Sequence, residues 1–89
     1  MKKKFLKQME TFREALSEIS DADEDIQKRL ETVQSEIEDI LRQGKMVTRH
    51  RQRDFILSLK RLVDDFELSH PELTAFIGQM AESLARMGI

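Results

Sequence analysis

Residues 55–89 read FILSLKRLVDDFELSHPELTAFIGQMAESLARMGI, and two amphipathic helices hinged at one proline account for the pattern. Phe55, Leu59, Leu62 and Phe66 fall on one helical line with Ile56 and Val63 beside them, which makes a broad apolar face. The line breaks at Ser69-His70-Pro71. Proline has no amide proton to satisfy, so it fits the first turn of the next helix. Ser69 and Glu72 have the spacing of a capping box, whereas the residue before a proline avoids helical angles, which favours His70 as the cap. Either cap reverses the chain. Beyond it, Leu73, Phe76, Ile77, Met80, Leu84 and Met87 share a face. Thr74, Gly78, Ala81 and Ala85 form a second ridge of small side chains, which lets another helix approach closely; alanine is also simply a good helix former. Gly88 supplies a stop, and Ile89 can fold back onto Leu84 or Ala85.

Upstream, Lys45 to Thr48 is the clearest linker, with Thr48 as an N-cap. Before it come two narrower stripes. Ile26, Leu30, Val33, Ile37 and Ile40 alternate spacings of four and three, and so do Phe5, Met9, Phe12, Leu16 and Ile19. Stripes this narrow resemble the seam of a coiled coil, which wants another helix. Ser20 to Asp25 has the chemistry of a helix start, with short oxygen-bearing side chains and acids at the positive end of the dipole. Gly44 sits where a left-handed terminating residue is wanted. Yet Phe5, Phe12, Ile19, Ile26, Val33 and Ile40 are each seven apart, so a single helix from about Lys3 to Gln43 keeps the same phase. Asp23 falls on that seam and speaks for a hairpin. Both arrangements stand at this point.

The expected fold is therefore all-α. Four helices at about 3–20, 23–43, 48–68 and 71–87 form two hairpins packed as a small bundle. Its alternative makes the first two helices one long coiled-coil helix. At 89 residues the chain is one domain, 1–89, since domains most often run to about 100–150 residues. A chain this short buries only about 60–65% of the surface of its unfolded form. With no cysteine there is no disulfide or thiolate metal site to stabilise it. Self-association is the remaining stabiliser, and a homo-oligomer is expected. Its contacts are assigned to the seam (Phe5, Phe12, Ile19, Ile26, Val33, Ile40) and to the ridge (Gly78, Ala81, Ala85). Another protein's amphipathic helix fits the same surfaces.

Little in the chain carries chemistry. Lys45, Arg49, Arg51 and Arg53 cluster without an acid between them, with His50 inside the run, and phosphate contacts need such clusters. A nucleic-acid-associated factor is accordingly the competing reading. The formal net charge of −2 opposes it, and the nearest aromatic, Phe55, lies on the core stripe. The arginines are better matched to acids such as Glu36, Glu38 and Asp39, or to another subunit. Asp21, Asp23 and Asp25 lack the glycine and distal glutamate of a calcium loop. His50 and His70 have no second ligand at helical spacing. No catalytic residue, cofactor, metal or small-molecule substrate is assigned, and no enzyme is expected. Met9, Met80 and Met87 fall on apolar stripes as gap-fillers, while Met46 lies in the linker, where it can cover a helix end or touch a partner. The opening MKKKFLKQMETF has no apolar run behind its lysines, so neither a signal peptide nor a membrane anchor is read there and a cytoplasmic address follows.

Phe66-Glu67, His70-Pro71, Leu73 and the closing Met87-Gly88-Ile89 resemble a family of short bacterial all-helical proteins of unknown function. Its members share a phenylalanine followed by an acid, then His-Pro-x-Leu, then a helix ending in Met-Gly-Ile. A looser likeness covers the second helix, here Ile37 to Leu41. The resemblance implies no activity. It favours the hairpin over the single long helix, implies a bacterial cytoplasmic setting, and does not extend to the basic run at Arg49 to Arg53.

Overall fold

The computed structural model describes residues 2–19 and 23–87. Helix α1 is Lys2–Ser17, α2 is Glu24–Gln43, α3 is Arg49–Phe66 and α4 is Pro71–Ala85, with a short 3₁₀ turn at Gly44–Met46. The chain divides into two compact units, Met1–Val47 and Thr48–Ile89. Each is a helical hairpin: α1 packs on α2 in the first, and α3 on α4 in the second. The fold is all-α. The continuous first helix is excluded, because α1 stops at Ser17 and α2 starts afresh at Glu24.

In the first hairpin the end of α1 tightens before it stops. The amide of Glu18 donates to the Ala15 carbonyl and that of Ile19 to Leu16, the three-residue spacing of a closing 3₁₀ turn. Ser17 Oγ turns back onto the Glu14 carbonyl at 2.7 Å. Of the predicted start signal, Ser20, Asp21 and Ala22 lie outside the described residues. Asp23 occupies the N-cap in extended backbone, and Asp25 Oδ1 accepts the Ile26 amide at 2.9 Å, relieving one of the orphan donors of the first turn. The two narrow stripes supply the core. Phe5, Met9, Phe12 and Leu16 of α1 and Ile26, Leu30, Val33, Ile37 and Ile40 of α2 are all buried. Across the same pair Arg13 donates to Glu38 at 3.0 Å with both side chains wet, which contributes less than about 1 kcal/mol.

Gly44 closes α2, its amide donating to the Ile40 carbonyl. Its φ of +54° is the positive value expected, but ψ of −125° lies outside the left-handed helical well. The chain therefore leaves through the 3₁₀ turn, which packs against α1 and delivers Val47 into the core. Met46 beside it stays exposed.

In the second hairpin Thr48 caps α3 as expected, its Oγ1 accepting from the Arg51 amide at 3.0 Å. Phe55, Ile56, Leu59 and Leu62 are buried, with Val63 and Phe66 half-buried at the edge. The helix ends at Phe66 rather than near 68, and Leu68 projects into solvent. Of the two candidate caps, His70 holds the N-cap position of α4 with Pro71 at N1. Ser69 Oγ reaches back to the Phe66 carbonyl instead, so the capping box does not form. Thr74 Oγ1 donates to the His70 carbonyl at 2.8 Å, and the His70 ring stands 6.2 Å from that of Phe66. The closure expected from Gly88 and Ile89 lies outside the described residues.

Helix α4 is rotated from the face its sequence suggests. Its buried residues are Thr74, Ile77, Met80, Ala81 and Leu84, whereas Leu73, Phe76 and Met87 are half-buried. The ridge of small residues thus splits. Thr74 and Ala81 join the core, Gly78 is half-buried, and Ala85 is exposed.

Candidate functional site

Of the six seam residues assigned to a partner, Phe5, Phe12, Ile26, Val33 and Ile40 are buried within the single chain, and Ile19 is half-buried. The partner that the stripe asks for is the neighbouring helix of the same hairpin. That corrects the placement of a docking surface on α1 and α2. Ala81, wholly buried in the chain, drops out of the surface as well.

What stays open on the second hairpin is the flank where α3 and α4 meet solvent. On α3 and its C-cap, Arg53, Ile56, Lys60, Val63 and Glu67 recur at spacings of three and four, so they line one side of the helix. On α4, Thr74, Gly78, Glu82 and Ala85 follow the same rule. A depression of about 220 Å³ is lined by Arg53, Ile56, Leu57 and Ala85, at the end of the hairpin where α3 begins. A larger one of about 370 Å³ lies toward the turn, between Val63 of α3 with its C-cap Glu67 and Pro71, Thr74, Gly78 and Glu82 of α4. Gly78 lines it without a side chain, and a Cβ built there would come within 3.8 Å of Val63 Cγ2, ordinary contact. Leu57 stands 61% exposed at the rim of the smaller depression. An aliphatic side chain left that wet on a helix flank marks surface able to be buried against something else.

Lys45, Arg49 and Arg53 are exposed and Arg51 is half-buried. His50 Nε2 faces Asp54 Oδ2 at 3.4 Å. Two of the acids predicted to receive the arginines have other partners: Glu38 bonds Arg13, and Asp39 pairs with Arg42 of its own helix. Phe55 is fully buried and offers no stacking surface. Arg53 lines the smaller depression, whose other lining residues are apolar.

Residues 5–89 match the model of a domain of unknown function, DUF4404. The chain belongs to the DUF4404 family. No curated protein and no solved structure matches it. No helix of this DUF4404 chain, among the described residues, is long and apolar enough to cross a membrane.

One residue of the DUF4404 core escapes a reading by hydropathy. Gln52 is only 4% exposed, and its Nε2 has no hydrogen-bond partner. The signal for its burial is spacing alone, since it lies seven before Leu59 and four before Ile56. The depression at Gly78 escapes for another reason: it is assembled from two helices, and neither one's periodicity contains it.

Proposed function

We propose that this DUF4404 chain is a non-enzymatic helical interaction protein that self-associates, with residues 1–89 working as one domain in a bacterial cytoplasm. The observation that carries the reading is the solvent-facing groove of the second hairpin, where Leu57, Ala85 and Gly78 leave apolar and small surface between charged rims. The buried polar side chains among the described residues are Gln52 and Thr74, an amide and a hydroxyl already given to backbone carbonyls. The bacterial setting is supported by the resemblance at Phe66, His70-Pro71 and Leu73.

The test is mass in solution. Light scattering at micromolar concentration is expected to give a dimer or larger species, and a strict monomer would overturn self-association. A second reading, a nucleic-acid-associated factor, is favoured by the exposure of Lys45, Arg49 and Arg53. It requires duplex binding that falls steeply with salt and is lost when Lys45, Arg49, Arg51 and Arg53 become alanine. Undetectable binding at moderate salt removes it.

A further inference from the structure

We propose that the α3/α4 groove docks against the same groove of a second copy, the two running antiparallel about an axis near Lys60. This rests on the self-associating reading above and names its surface. The groove carries opposite charge at its two ends. At the start of α3 it carries Arg53; toward the turn it carries Glu67 and Glu82. Glu82 already faces Arg86 at 3.8 Å, which leaves Glu67 as the acid to be answered.

A two-fold interface places one patch on its own rotated image, so the patch must complement itself. A groove basic at one end and acidic at the other does so only when the copies run in opposite directions, because the parallel arrangement sets Arg53 on Arg53 and Glu67 on Glu67. Rotation about Lys60 brings residue 53 opposite residue 67 and residue 57 opposite residue 63. Arg53 then meets Glu67 of the second copy. The exposed Leu57 meets Val63 and the depression of about 370 Å³ that Val63 and Gly78 line. Lys60 is exposed, and its long stem lets the ammonium reach water beside the axis.

Area sets the strength. An 18-residue helix such as α3 is about 27 Å long, and two helices side by side present a face of roughly 500 Å². That is below the roughly 800 Å² per partner of standard interfaces, so the dimer is expected to dissociate in the micromolar range.

The experiment is sedimentation equilibrium of the full chain from about 1 to 100 micromolar, with R53E, E67R and the double R53E/E67R. Both positions are solvent-exposed, and circular dichroism checks that helix content is kept. Each single reversal is expected to weaken the dimer about tenfold, and the double to bring it back within about threefold of the parent. A parent that is monomeric throughout overturns both this inference and self-association. A parent dimer indifferent to the single reversals overturns the groove alone and leaves self-association standing. Weakening by each single without rescue in the double overturns the antiparallel pairing.

Discussion

The two hairpins solve one packing problem with different materials. In the first, every buried side chain of α1 and α2 is a large apolar residue on a narrow stripe repeating by fours and threes. In the second, the buried set includes Gln52, Thr74 and Ala81, and the outer flank carries depressions. Large side chains on a single line fill the space between two helices and leave the outer faces polar. Small and polar ones let two helices settle closely but leave grooves beside the contact. The first hairpin is core on one side and water on the other; the second keeps a surface with shape.

That contrast is best broken at its strongest point. Phe12, wholly buried, should cost about 3–5 kcal/mol when replaced by alanine, since transfer and cavity terms add. Chemical denaturation monitored by circular dichroism checks it, and a loss under about 1 kcal/mol would mean that the stripe is not the close-packed element described here. A smaller loss is expected from Gly44→Ala. Nothing lies within 4 Å of the added Cβ, so the whole penalty, about 2 kcal/mol, comes from the positive φ. Urea midpoints of the two proteins measure it.

The second hairpin should respond in the opposite direction. Gln52→Leu removes a buried amide nitrogen without a partner and is expected to raise stability by about 1–2 kcal/mol. A lower melting temperature would show that the amide makes a bond worth keeping. Gly78→Ala should also stabilise, by about 0.8 kcal/mol, because it removes a flexible residue from a helix interior and adds a methyl at ordinary contact distance from Val63. Destabilisation there would mean that the two helices sit closer than 3.8 Å allows.

Where sequence sufficed and where it did not follows the same division. The stripes of α1 and α2 are apolar throughout, so burial and hydropathy coincide, and the residues placed on them are the residues buried, except Ile19, which follows the end of α1 and is half-buried. Thr48 and Pro71 were readable because a cap and a helix start each need particular side-chain chemistry. Partner identity was not readable: a heptad seam asks for a helix without specifying whose, and here the neighbouring helix of the same chain supplies it. In α4 hydropathy ranks Phe76 and Met87 above Thr74 and Ala81, but packing against α3 selects for fit, and Thr74 satisfies its hydroxyl on its own helix. Gln52 lay on the stripe by spacing and was hidden by polarity. The depression at Gly78 needs two helices side by side before it exists.

Each helix pairs with its neighbour in the chain, α1 with α2 and α3 with α4, and this has a consequence in time. Closing such short connections loses little loop entropy, and chains dominated by local contacts fold in microseconds to milliseconds. Synthesis at about 5–20 residues per second takes several seconds to produce the second hairpin. During translation the first hairpin can therefore pair α1 with α2 before α3 and α4 have both been made, so its apolar stripes are hidden early from the ribosome's surroundings.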